Sequence, residues 1–261
     1  MTAAEGLTGP GERIGTIAQV RGAMSRMRRA GWRLVLLWLA TSAWGQGMQY
    51  GAEAVGISFA RPTPDPGYLA YLAVATAVGA IIGAIGLRLL LQGPHGWLKV
   101  DEPLLRTAGL VGLASAAMIG IQTAYSWSVR GTTEAGAFMW PAMLASAGYV
   151  LVMILALKLT LWPAGVLMAR ADMTPTRSWR LMKRATRGLA LSYVVFALPM
   201  VALAALSTYS ALTMPQAPGR EIYDIALQAV GVGLSFCGSA LTATLYDLRV
   251  GAAATVADVF N

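Results

Sequence analysis

From Gly67 to Leu91 the chain reads GYLAYLAVATAVGAIIGAIGLRLLL, an apolar run broken by one charge, Arg88. A helix needs about 20 apolar residues, rising 1.5 Å each, to cross the ~30 Å hydrocarbon core of a bilayer. A helix apolar all round is buried in a large core or in lipid. The run is not alone: similar stretches are read at 31–54, 106–128, 138–168, 188–213 and 223–248. In all, 56% of the 261 residues are hydrophobic and only 12% are charged, with a mean hydropathy of +0.58. A soluble domain averages about 25% charged residues. The expected fold is therefore all-α, an integral membrane bundle of six transmembrane helices filling 31–261, preceded by a basic segment over 1–30.

Charge sets the expected topology. Cytoplasmic loops carry the excess of Lys and Arg. With the N-terminus cytoplasmic, Arg13, Arg21, Arg26, Arg28, Arg29 and Arg33 lie inside ahead of the first run. Arg88, Lys99 and Arg106 surround the second connection, and Lys158, Arg170, Arg177, Arg180, Lys183, Arg184 and Arg187 the fourth. Arg249 follows the last run. Of the 20 Lys and Arg residues only Arg61, Arg130 and Arg220 fall outside. Both termini are thus expected in the cytoplasm. A cleaved signal peptide is not expected, because the charged stretch before the first run is too long. Within the first 30 residues, Ile14, Ile17, Val20, Met24 and Met27 form the apolar side of a weakly amphipathic, interfacial helix.

The densest basic segment is TPTRSWRLMKRATRG, Thr174 to Gly188, which contains no acid. Thr174 is placed to cap a helix whose first residue is Pro175. Arg177, Arg180, Arg184 and Arg187 recur at helical spacing on one face, with Trp179, Met182 and Thr186 on another. Together with Lys183, the cations and Trp179 read as a headgroup-level helix facing anionic lipid. Just upstream, Pro163 is expected to kink or end the fourth helix.

The longer segment LTLWPAGVLMARADMTPTRSWRLMKRATRGLALSYVVFALP, Leu159 to Pro199, resembles the membrane-domain family associated with bacterial glycerophosphodiester phosphodiesterases and its six-span relatives. In that pattern an apolar helix ends near a proline and a short loop leads to an arginine–serine–tryptophan element. Here Arg170 precedes Asp172 where the family carries an acid directly after the proline stretch. LYDLRVG, Leu245 to Gly251, is similar to the aromatic-plus-arginine ending of such proteins. The resemblance implies a helical bundle of a bacterial inner membrane with no defined activity; no phosphodiesterase domain is expected within these residues.

Polar side chains at membrane depth are costly, so each is a candidate. Ser42, Gln46, Gln49 and Glu53 fall at spacings of four, three and four, one stripe along the first span. Gln122 and Tyr125 approach a similar depth in the third span, and Gln228 lies near the outer end of the sixth. Two readings stay open. The groups line a polar cleft open to the outside, or they hydrogen-bond helix to helix. Small residues four apart, Ala75, Gly79 and Gly83 with Gly112, Ala116 and Gly120, allow helices to approach closely.

The remaining residues argue against much chemistry. His95 is the only histidine, so neither paired haem ligands nor a His-rich metal site is available within one chain. Cys237 is the only cysteine, read as a small core residue. No phosphate-binding glycine loop or nucleophile elbow occurs. Asp101 and Glu102 read as solvated loop charges. No cofactor and no metal are expected. Anionic lipid headgroups, and possible further membrane-protein subunits, are the expected partners, rather than nucleic acid. The expectation is a non-catalytic, lipid-interacting protein or accessory subunit of a membrane complex. The alternative is a small transporter or solute-binding component using the polar cleft.

Overall fold

The computed structural model of the chain describes residues 15–56, 66–130, 139–183, 185–213 and 220–251. Every regular element among them is helical: α1 (Thr16–Ala30), α2 (Trp32–Ala54), α3 (Pro66–Gln92), α4 (Glu102–Arg130), α5 (Met139–Leu159), α6 (Leu161–Leu167), α7 (Pro175–Met182), α8 (Thr186–Thr213) and α9 (Arg220–Tyr246). A π-helical turn, Asp247–Gly251, extends α9. Helix α3, α4 as far as Ile121, α8 as far as Leu203, and Ile225–Gly251 are long and apolar enough to cross a membrane. The bent pair α5/α6 makes a fifth if counted as one span. Helix α2 has the length, but Gln46, Gln49 and Glu53 dilute its apolar character. The chain is therefore an all-helical protein with four to five membrane-compatible spans.

Proline chemistry explains the bend. Pro163 has no N–H to offer the Leu159 carbonyl, and its ring collides with that turn. The helix breaks three residues before the proline, at Thr160, and the two halves meet at 45°. Pro199 lies inside α8, whose helix is continuous through it.

Helix α9 is the hub, packed against α1, α2, α3, α6 and α8. Pairings run in opposite senses along α2 and α9: Trp38 meets Ala229 and Gln46 meets Gln228. One end of the bundle is tightly packed. Ala84, Leu87, Leu89 and Leu90 of α3 meet Leu104 and Ala108 of α4, Leu161 and Leu167 of α6, Met182, Leu189, and Ala240 to Tyr246 of α9 in one buried cluster. This end also carries α7, the 93–101 connection and most described cations, so we call it the basic end. Toward the other, open end few side chains are buried; Leu37, Ala52, Tyr68 and Ala80 are exceptions.

Helix α1 belongs to this packing. Its buried residues are Gln19, Ala23, Arg26 and Ala30, a stripe of small and polar side chains against α8 and α9. Ile17 and Met24, placed on the apolar side by the sequence, are exposed, and Ile14 lies outside the described residues. Close approach explains the choice of face: Gly22 lies against Thr244, where a bulkier residue would not fit. Gly31, with φ of 58°, then turns the chain from α1 into α2, a conformation that favours glycine.

Glycine also sets the α3–α9 distance. A β-carbon at Gly86 would stand 2.6 Å from the Phe236 ring, whereas one at Gly79 meets nothing within 4 Å. Gly86→Ala is thus expected to lower the thermal unfolding temperature in detergent, by overpacking worth about 1–3 kcal/mol. Gly79→Ala is expected to leave it unchanged or slightly raised. Equal effects of the two changes would contradict this packing.

Candidate functional site

Two groups of polar residues emerge, one at each end of the bundle. At the open end, the outer halves of α2 and α9 diverge around a cleft of about 760 Å³. Gln46, Gln49, Tyr50 and Glu53 line it from α2; Gln228, Val232 and Ser235 are among those lining it from α9. Below the cleft the helices are pinned by Trp38, whose indole N–H donates to the Ala229 carbonyl at 2.7 Å. Gln46 donates its amide to the Gln228 side-chain oxygen across the helix pair. Gly45 makes room for this, since a β-carbon there would meet the Gln228 amide at 2.5 Å. Gln49 donates to Glu53 at 3.2 Å within the α2 stripe. Ser42 continues the stripe one turn deeper but lines no part of the cleft; its hydroxyl oxygen is buried and has no hydrogen-bond partner.

The stripe divides along its length. Gln46 ties helix to helix, while Gln49 and Glu53 face open space. The side chains of Gln122 and Tyr125 lie outside the described residues. Sequence reasoning passed over Ser235 and Tyr50. Ser235 also borders a second chamber, about 690 Å³, enclosed by α3, α4, α5, α8 and α9. A third space, about 810 Å³, is a groove between α3 and α4, where a β-carbon at Gly112 would stand 3.4 Å from that of Ala80.

The basic end is a set of stapled helix termini. Arg26 of α1 is buried; its guanidinium donates to the Leu90 carbonyl at 2.7 Å and pairs with Asp247 of the π-helical turn. Arg88, only 2% exposed, donates to the Lys99 carbonyl and pairs with Asp101. Asp101 in turn accepts the Leu104 amide at 3.1 Å, capping α4. That corrects the reading of Asp101 as a solvated loop charge: a guanidinium buried in an apolar run requires a partner, and Asp101 supplies it. Its neighbour Glu102 is exposed and pairs along the helix with Arg106. Arg249 is buried as well.

Helix α7 starts as its sequence predicts, with Thr174 accepting the Arg177 amide at 3.2 Å and Pro175 at the first position. Ser178 and Met182 face inward, and Ser178 donates to the Lys158 carbonyl at 3.0 Å. Trp179, Arg180 and Lys183 are exposed, and Lys158 sits over the Trp179 ring, 5.6 Å from its centre. Arg187 is exposed at the start of α8. Two features differ from the expected stripe. Helix α7 ends at Met182 and α8 begins at Thr186, so Arg187 does not share the α7 face. Arg177 is drawn onto Asp172 together with Arg170, leaving it less free for a headgroup. Met182 is fully buried although its sequence-predicted companion Trp179 is exposed. Arg184 lies outside the described residues.

Electrostatics follow from these pairs. The hydrogen bond from Arg88, helped by the Leu104 amide and the charges of Arg88 and Lys99, holds the Asp101 carboxyl below its ordinary value. Arg170, and then Arg177, do the same for Asp172, while Asp172 raises Arg170 in return. The chain reaches Asp172 through a helix ending in which Arg170 N–H bonds the Gly165 carbonyl and Ala169 N–H bonds that of Val166, both at 3.0 Å. Ala169 adopts φ of 53° there, the position where glycine is usual.

Among the described residues no group of three His, Cys, Asp or Glu side chains is placed to hold a metal. What the described side chains bring together is hydrogen bonding and an exposed carboxylate, Glu53, at the open end, and a rim of exposed cations at the other. No protein-family model, no characterised protein and no solved structure matches this chain.

Two outcomes are expected from the basic end. Because Asp101 and Asp172 have lowered values in the folded state, their contribution is present above the ordinary aspartate range, near 4, and is lost as pH falls through the depressed values. Asp101→Asn should lower the unfolding temperature at pH 7 and flatten its fall between about pH 5 and 2. Ala169→Gly should raise stability by about 1 kcal/mol, relieving a left-handed alanine. Unfolding scans of the three proteins across that pH range check both.

Proposed function

We propose that this chain is a non-catalytic, multi-pass protein of a bacterial inner membrane that gathers anionic lipid at its basic end, alone or as an accessory subunit. In this reading α2, α3, α4, α5/α6, α8 and α9 make six spans, and both termini lie on the cytoplasmic side. Helix α2 counts as a span despite its polar stripe because it runs antiparallel to α9, pinned by Trp38 and Gln46. The local resemblance over Leu159–Pro199 agrees with a six-span bundle and brings no activity with it.

One observation carries the lipid reading. The cations divide into those consumed by the fold and those left on the surface. Arg26, Arg88 and Arg249 are buried, and Arg170 and Arg177 hold Asp172. Arg180, Lys183 and Arg187 remain exposed beside Trp179, with Arg21, Arg28 and Arg29 exposed on α1. An exposed Trp flanked by surface cations that no acid among the described residues holds suits the headgroup layer, where each Lys or Arg near an anionic surface contributes about 1 kcal/mol.

Native mass spectrometry from mixed phosphatidylglycerol and phosphatidylcholine nanodiscs tests this. The unaltered protein is expected to retain the anionic lipid preferentially. The triple change Arg180→Ala, Lys183→Ala, Arg187→Ala should reduce that preference several-fold, at about 1 kcal/mol per cation; an unchanged ratio would sink the reading. Topology has its own check. In a Cys237→Ser background, a cysteine at position 49 should react with an impermeant maleimide on intact cells, and one at position 183 only after the membrane is opened.

A further inference from the structure

We infer that the cleft between α2 and α9, with the chamber it meets at Ser235, is a binding site for a single-chain amphiphile bearing a cationic amine head. The inference is independent of the lipid contacts proposed for the basic end, which involve none of these residues.

Charge selects the head. Among the described residues Glu53 is the only charged side chain lining the cleft, and no described Lys or Arg lines it. The wall also spends donors on itself. Gln46 gives an amide hydrogen to Gln228, Gln49 gives one to Glu53, and Ser235 donates to the Val232 carbonyl at 2.7 Å. The oxygens of Gln46, Gln49 and Ser235 and the second oxygen of Glu53 remain as acceptors. An ammonium offers three donors to these acceptors and a positive charge to Glu53, whereas a carboxylate or phosphate, although the glutamines keep further amide hydrogens, would meet the like charge of Glu53.

Depth argues that the polar wall is kept for a ligand. Gln49 lies five residues from the end of α2, about 7–8 Å down the helix. Amide side chains facing open space at such depth are costly against acyl chains.

The chamber selects the tail. Its volume, about 690 Å³, lies within the ~300–1,000 Å³ range of small-molecule sites. Ile82, Leu87, Val111, Leu155 and Phe236 are among its walls. Its hydroxyls are largely turned to the backbone: Thr41 donates to the Leu37 carbonyl at 2.6 Å and Ser239 to that of Ser235 at 3.2 Å. What faces the space is therefore mostly hydrocarbon. Ser235 lines both volumes, so a head held by Glu53 and the glutamines can extend its chain inward past Ser235.

The test uses the full chain in phosphatidylcholine nanodiscs, with dodecylamine, dodecanoate, dodecanol and butylamine as probes, read by native mass spectrometry and thermal shift. Dodecylamine is expected to bind saturably at one per chain, ahead of dodecanol, with dodecanoate excluded. Glu53→Gln, on an exposed side chain that folding does not need, should weaken dodecylamine about tenfold, the scale of one partly screened charge pair. It should leave dodecanol unchanged. Butylamine should bind far more weakly than dodecylamine, because it cannot fill the chamber. Equal retention of dodecanoate and dodecylamine, or no effect of Glu53→Gln, overturns the assignment of the head. Equal affinity for butylamine and dodecylamine overturns the role of the chamber. Ser235→Phe, which plugs the junction, is expected to erase the chain-length dependence.

Discussion

Leu90, in the last turn of α3, has a carbonyl that its own helix cannot satisfy, because the residue four positions on is Pro94, which has no N–H. Arg26 of α1 fills that vacancy and holds Asp247 beyond α9 with the same guanidinium. The other helix termini at this end face the same problem. Each leaves several carbonyls or amides without an intrahelical partner. Arg88 bonds the carbonyl of Lys99 and orients Asp101, which caps α4. Ser178 of α7 covers the Lys158 carbonyl left by the bend between α5 and α6. A guanidinium suits this work because its five donors lie in a fixed fork and it stays charged when buried. Remove these staples and α1, α3, α4, α7 and α9 lose their common anchor.

The same staples explain why one end is compact and the other open. Between helices in hydrocarbon there is little hydrophobic gain from burial, since lipid is as apolar as a neighbouring leucine. Burial stabilises where water is near, and the buried cluster of Leu89, Leu104, Leu167 and Leu245 sits beside the stapled termini. Away from them the helices are held by a few specific contacts, such as Trp38 to Ala229 and Gln46 to Gln228. Space survives between them, and it is there that the cleft, the chamber and the α3–α4 groove occur.

Much of this was legible in the sequence. Apolar runs placed the long helices to within a few residues, because length and hydropathy are properties of a single segment. The cap at Thr174 and Pro175 was readable for the same reason. Individual cations were not. Arg88 and Lys183 both counted toward the charge asymmetry, yet one is buried beneath Asp101 and the other is exposed. What separates them is the partner 13 residues on, a tertiary fact. The inward face of α1 was not legible because packing there favoured small residues, Gly22 and Ala23, over large ones. The headgroup stripe assumed one continuous helix, and the turn at 183–185 divides it.

Gln46 shows why the polar stripe could not be assigned to one role from spacing alone. Four residues on one helical face share a direction, but the neighbouring helix crosses that face at an angle and meets only part of it. Where α9 is close, Gln46 spends its amide on Gln228, and the pair costs little because each satisfies the other. Farther along, the helices have parted, and Gln49 and Glu53 face the cleft with only each other as hydrogen-bond partner. The pairing that fixes the helices therefore also sets the floor of the cleft, and the distance from that floor to the end of α2 determines how deep a polar head can enter. Gln46→Leu is accordingly a change in two properties at once, while Glu53→Gln alters only the charge at the mouth.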